Sequence, residues 1–300
     1  MRAAALYVYP IKSCRATPVS QLHISSRGPK DDRDFMLVEE KDTQKFITQR
    51  GDPELVFVQP TLTEEGLRIE TVDTAPTKLS PIFVARERWE ALRGFPIKTK
   101  VHTNDCQGVD QGHEIAEWFS TYLGRRVRLL YMPESFKRIP NRVPGNVAEA
   151  TLKFADSYPL LLTTYASLVE LNARLPPQYE RFTMDQFRPN IVVASEDTSM
   201  APWEEETWNH FTCGSVSLYG VKPCDRCVII TTNQQTSERQ HAKLLIAHAE
   251  IHSAPKRSKT NPALVQQVPI FGMNLIPASS GSVTIGEAIG NITFGSRPEL

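Results

Sequence analysis

Short apolar runs separated by Gly, Pro, Asn and Asp fill the first third of the chain, and that spacing leaves room for strands but not for helices of ordinary length. The runs at 35–38 (FMLV), 55–58 (LVFV) and 67–72 (LRIETV) are the clearest. Their rhythm is that of a barrel or a sandwich. An N-terminal β-barrel-like domain over residues 1–130 is therefore expected.

Helical periodicity comes only afterwards. Ile115, Trp118, Phe119, Tyr122 and Leu123 recur at i, i+3, i+4, i+7 and i+8, and Gly124 supplies a stop. This aromatic stripe reads as core. Residues 133–145 are rich in Pro, Asn and Arg and read as a rim or inter-domain loop, with Lys137, Arg138 and Arg142 solvated. A second domain, 150–290, opens with a helix capped by Thr164, carrying Leu168, Leu171 and Leu175 on one face and stopped by Pro176 and Pro177. Strands at 190–194 and 215–219 follow, then a helix over 238–251. The histidines of that last region, His241, His248 and His252, read as solvated rather than as ligands, because only the last two have the i, i+4 spacing of a chelating pair. Residues 252–262 (HSAPKRSKTNP) read as a mobile basic loop. The fold class is thus α+β, mainly β, with two barrel-type domains and a few helices.

At 300 residues the chain can bury a sizeable core. Lys plus Arg and Asp plus Glu both number 34, so no basic excess points to nucleic acid. Five cysteines, an odd number without framework spacing, argue for a reducing compartment. The opening MRAAALYVYPIK reads as a strand, too short for a secretory apolar region, and a cytoplasmic protein with no membrane span is expected.

The chemistry concentrates at residues 222–232, KPCDRCVIITT. A strand pattern before it and an unbroken β-branched run after it place Cys224 and Cys227 in a Pro-containing connection at the end of a sheet. Arg226 between them is expected to favour thiolate, the form that binds metal. Alone, the pair has several meanings. Structural zinc lacks a second ligand pair, a thioredoxin-like couple lacks the following helix, and two inert half-buried cysteines remain open.

Four more segments, YPIKSCR (9–15), DRDFMLV (32–38), FITQR (46–50) and FRPNIVV (187–193), join KPCDRC in order and spacing. Together they resemble the MOSC proteins, and within them the branch with an N-terminal MOSC β-barrel domain that includes the mitochondrial amidoxime-reducing component and its bacterial relatives. The chain departs from them in reading FGMN (271–274) and IGE (285–287) where relatives more often have FGQN and VGD. After Thr232 it also lacks their DPDTG-like turn.

The resemblance implies a molybdenum cofactor between the two domains, ligated by the sulfur of Cys227 with Cys224 as a neighbour. It also implies cofactor contacts at Lys12, Ser13, Arg33, Arg188 and Asn190, with Thr164 and Ser167 lining the same pocket. Guanidinium forks suit a pterin phosphate and an amide suits its polar ring edge. The implied activity is reduction of small N-hydroxylated compounds, amidoximes, hydroxylamines or N-hydroxylated bases, with electrons from a separate b-type cytochrome or ferredoxin. The family also leaves open a sulfur carrier with a persulfide on Cys227, or a non-catalytic module binding pyridoxal phosphate.

Overall fold

A computed structural model describes residues 1–90, 96–145, 147, 149–195, 200–257 and 264–295. Its architecture is mainly β with a few helices. The largest sheet has nine strands. Its path runs Ile289–Phe294, Trp208–Cys213, Val216–Asp225, Val265–Pro277, Leu160–Thr164, Ile191–Ala194, Arg2–Val8 and Thr17–Val19, with Ser253–Arg257 pairing the exposed end of Val265–Pro277. All pairings are antiparallel except one: Leu160–Thr164 and Ile191–Ala194 run parallel, and helix Tyr165–Arg174 lies in the connection between them.

At its centre this sheet is covered on both faces, so Leu160–Thr164 and Ile191–Ala194 are buried almost throughout, whereas outer strands such as Trp208–Cys213 alternate between buried and exposed positions. Ile191 and Val193 point into a cluster with Leu6, Leu162, Phe211 and Leu275. Val192, between them, points the other way, toward Leu168, Phe187, Leu244 and Phe271.

The second lobe uses a four-stranded sheet, Phe35–Glu39, Val127–Tyr131, Asn104–Asp110 and Ile97–Val101, and a three-stranded one, Val58–Leu62, Gly66–Thr71 and Ile82–Ala85. Helix His113–Leu123 covers its core. The aromatic stripe is inside, as the spacing requires: Trp118 stacks on Tyr122 at 5.9 Å and meets Phe119 edge-on at 4.9 Å. Gly124 ends the helix at φ 65°, a left-handed residue that no side chain disfavours.

Strand pairing crosses the linear order of the chain. Arg2–Val8 and Thr17–Val19 belong to the nine-stranded sheet, and Gln21–Ser25 pairs with Gly281–Thr284. The first 25 residues therefore tie the two ends of the sequence together.

Several sequence expectations are corrected. Residues 53–57 form a 3-10 turn, started by Pro53, rather than a strand at 55–58. The β-branched run after Cys227 is also a 3-10 turn, Val228–Thr231, closed by amides bonding back to Cys227 and Ile229. The last helix is shorter than expected, Lys243–Ile251. Residues 253–257 of the supposed mobile loop are a paired strand; 258–262 lie outside the described residues. Ile285, Gly286 and Glu287 make a turn between the closing strands rather than a strand. Arg138, read as solvated, is 5% exposed and donates to the carbonyls of Lys153, Ala155 and Asp156. His248 is fully buried, donating from Nε2 to Ile270 O at 3.0 Å, while His252 stacks on Trp203 at 3.8 Å and pairs with Glu206. Neither is a solvated histidine. Among the described residues no helix is long and apolar enough to cross a membrane.

Candidate functional site

A cleft of about 400 Å3 opens between the lobes, and all five motifs contribute to its wall. YPIKSC supplies Lys12 and Ser13, DRD supplies Arg33, FITQR supplies Thr48 and Arg50, FRPN supplies Phe187, Arg188 and Asn190, and PCDRC supplies residues 224–227. Segments distant in sequence meet here because Arg2–Val8 delivers the YPIKSC turn beside the strand that follows FRPN.

Three of these residues, Ser13, Arg33 and Arg188, hold left-handed backbone at φ 69°, 50° and 57°. Such a conformation costs a non-glycine residue about 1 kcal/mol or more and clusters where side chains must be aimed. Arg188 takes it as the C-cap of the short helix Met184–Phe187. The chain is therefore not extended at Arg188.

Cys227 caps the 3-10 turn and is partly exposed to the cleft. Its sulfur accepts a hydrogen bond from Arg50 Nη2 at 3.4 Å. Cys224 also lines the cleft, at the end of Val216–Asp225. Burial raises the Cys224 thiol pKa, against the opposing charge of Arg226. Arg226 does not face either sulfur with a hydrogen bond; it donates to the carbonyls of Phe271 and Phe187, bracing the cysteine loop against one strand and the end of the short helix Met184–Phe187. The other cysteines, Cys14, Cys106 and Cys213, are buried, and burial pushes Cys14 and Cys213 up to about 12. All five are free thiols, so chemistry falls to the pair in the cleft.

Two guanidiniums sandwich the buried ring of Tyr9, Arg33 at 4.2 Å and Arg188 at 4.4 Å. Their electrostatics differ. Arg33 is paired with Asp32 at 2.6 Å and donates to Asn190 Oδ1 and Arg188 O. Arg188 has no anionic partner among the described residues. Burial, together with the Arg33 charge, lowers its pKa from the ordinary arginine value. A desolvated cation without a counter-ion is an expensive feature that an incoming anion relieves. Asn190 is 1% exposed and fully engaged: its amide donates to Tyr7 O and Asp32, and its oxygen accepts from Leu161 N and Arg33. It reaches the cleft wall chiefly as the brace that holds Asp32 and Arg33.

Lys12 donates to Phe154 O at 2.8 Å and to Asp156 at 2.5 Å, and His102 meets the same carboxylate at 3.1 Å. Burial alone would raise the Asp156 carboxyl, but Lys12 and His102 hold it well below the usual carboxylate range. Lys12 is itself lowered by burial, which Asp156 partly offsets.

Thr164 and Ser167 do not line the cleft. Thr164 does cap its helix, accepting from Ser167 N at 3.1 Å. Both hydroxyls, however, are fully buried and turned to Glu205, with Ser167 Oγ 2.8 Å and 2.9 Å from its carboxylate oxygens. The family resemblance implies them as pocket residues, but a carboxylate 38 residues from Ser167 takes them instead. Conversely, Arg50 and Asp156 were missed as site residues. Arg50 was legible as the cation inside FITQR; Asp156, in FADSY, carried no signal.

The donor set fits the cofactor that the motifs imply. Among the described residues no group of three or more His, Cys, Asp or Glu could hold an ion, so a metal at Cys227 would bring its other ligands with it. A partly exposed thiol in a cleft that also holds an arginine with no ion pair among the described residues is such a set: a soft ligand plus anion binding.

Comparison with known proteins agrees. Residues 1–126 match the MOSC N-terminal beta barrel domain and residues 149–290 the MOSC domain. Mitochondrial amidoxime reducing component 2 of Macaca fascicularis is 29% identical over 293 residues, covering 95% of this chain and 82% of that protein. Mitochondrial amidoxime-reducing component 1 of Homo sapiens is 25% identical over 296 residues, covering 95% and 81%. Molybdenum cofactor sulfurase of Homo sapiens is 28% identical over 291 residues, 91% of this chain but 30% of the longer protein. With the two domain models taking in nearly its whole length, the chain belongs to the MOSC family, an N-terminal MOSC β-barrel domain followed by a MOSC domain.

Proposed function

We propose that the protein is a molybdenum-cofactor oxidoreductase that reduces small N-hydroxylated compounds, amidoximes, hydroxylamines or N-hydroxylated bases, using electrons from a separate redox protein. The observation that carries this reading is the shared cleft in which the partly exposed sulfur of Cys227 faces the same space as Arg188, a desolvated cation lacking a counter-ion among the described residues. The relatives named for amidoxime reduction, spanned over most of their length, support it.

Each residue has a task the chemistry requires. Cys227 is the metal ligand, with Cys224 beside it. Arg188 and Arg33 receive the cofactor's phosphate, Ser13 offers a hydroxyl from a left-handed turn, and Lys12 contributes positive charge to the cleft wall. Asn190 keeps Arg33 in register. When bound, the cofactor supplies two-electron oxygen-removal chemistry; the protein orients it and shields it from water. Arg50 keeps the Cys227 sulfur in one orientation through its hydrogen bond. Lys12, already committed to Asp156 and Phe154 O, is poorly placed to serve as a free amine for an aldehyde cofactor.

The test is metal analysis of purified protein beside an assay with benzamidoxime and a reduced b-type cytochrome or ferredoxin. Wild type is expected to carry molybdenum and yield benzamidine, and Cys227→Ala to lose both. Equal molybdenum in the two proteins overturns the ligand assignment.

A further inference from the structure

We infer that residues 232–240, a hairpin-like strap, set the position of Arg50 on the Cys227 sulfur, with Arg239 and Gln234 as positioning residues.

The strap is built to be rigid. Thr232 bridges Arg239, Asn233 N donates to Glu238 O at 2.8 Å, and Gln240 N to Thr231 O at 2.8 Å. The Asn233 side chain accepts from Gln235 N and Thr236 N, an Asx turn that fixes the tip. One end grows directly from the 3-10 turn that Cys227 caps.

From this frame the strap grips the FITQR segment at three points. Arg239 Nη2 donates to Gln49 O at 2.6 Å and to Arg50 O at 3.1 Å. The side chains of Gln49 and Gln234, 0% and 5% exposed, exchange amide contacts at 3.2 Å and 3.4 Å. Gln49 also donates to Ser13 O at 2.7 Å, and Arg15 ties Gln234 O to Val56 O. A complementary buried amide pair has one satisfied register, since a shift leaves donors and acceptors without partners. The backbone of Arg50 is therefore clamped on its carbonyl while its guanidinium reaches the sulfur at 3.4 Å. The same clamp holds Ser13, so two cleft residues from the N-terminal lobe are indexed to the cysteine loop by one strap.

This inference rests on Cys227 being the functional sulfur, and its test needs no cofactor. The rate of Cys227 alkylation by iodoacetamide at fixed pH, read by mass spectrometry on cofactor-free protein, is compared for wild type, R50M, R239M, R50M/R239M and R239K. If Arg239 acts through Arg50, R50M and R239M change the rate in the same direction by at least threefold. The double variant then changes it no further than R50M alone, because coupled residues are not additive. R239K, which can still donate to both carbonyls, is expected to return within twofold of wild type. Should R239M fail to fold, Q234L takes its place with the same expectation against R50M. Additive effects of R50M and R239M, or no effect of R50M, overturn the inference. Molybdenum binding is measured separately, so loss of the metal reading leaves the coupling result intact, and the reverse.

Discussion

Glu205 offers a sharp quantitative test of the packing that displaced Thr164 and Ser167 from the cleft. Its carboxyl is fully buried, and desolvation, aided by the adjacent Glu206, raises its pKa from 4.5 to about 7 despite hydrogen bonds from Ser167 and Thr164. Between those two values the unfolded chain gives up its proton while the folded chain keeps it. The folded state binds more protons there, so this group's contribution to stability falls as pH rises through that window and is lost above pH 7. The shift corresponds to a penalty of about 3 kcal/mol at high pH, about three quarters of it developing between pH 5 and 8. Glu205→Gln keeps the shape and the hydrogen-bond acceptor but cannot ionise. Urea unfolding of both proteins at pH 5, 6, 7 and 8 isolates the residue, because the Glu206–His252 pair is common to both. The variant is expected to gain on wild type by about 2–3 kcal/mol from pH 5 to pH 8. A difference that stays flat with pH refutes the argument that this carboxyl is desolvated and protonated in the neutral folded protein.

Other outcomes follow from the same structure. Arg188→Leu removes a desolvated cation without a counter-ion and is expected to raise the stability of the cofactor-free protein by about 1 kcal/mol while abolishing cofactor retention, seen as a higher unfolding midpoint and no bound pterin. Gly272→Ala places a Cβ 2.4 Å from Leu162 O at φ 74°, so a loss of at least about 2 kcal/mol is expected in urea unfolding; a neutral variant contradicts the close strand approach. Phe187→Leu breaks the 3.8 Å stack on Phe271 beneath the cysteine loop, and about 1–2 kcal/mol of stability should go with it, measured in the same way.

What could be read from the sequence was what local physics decides. The stripe Ile115, Trp118, Phe119 and Tyr122 has only one way to be buried, and it forms the helix. Thr164 is a good N-cap wherever its helix lies. The five motifs converge on one cleft because the chemistry of Cys227, Arg33 and Arg188 is marked by residue type. Long-range partners were not legible. Nothing near Ser167 announces Glu205, and nothing near Lys12 announces Asp156, since both carboxylates arrive by chain folding. Propensity misled at 228–232, where Val, Ile and Thr favour a strand. There Ile230 packs into the core beside Phe187 and Leu244, and Gln186 takes its carbonyl, so tertiary contacts impose a 3-10 turn.

The placement of Arg2–Val8 bears on how the molecule is made. One edge of that strand is met by Thr17–Val19 almost at once, but its other partner, Ile191–Ala194, is synthesised some 180 residues later. On the ribosome that strand must wait with half its ladder open, and the lobe that emerges next cannot close it. The cleft, whose YPIKSC wall hangs from that strand, is therefore among the last features to take shape, and a nascent chain halted before residue 191 has no site to load.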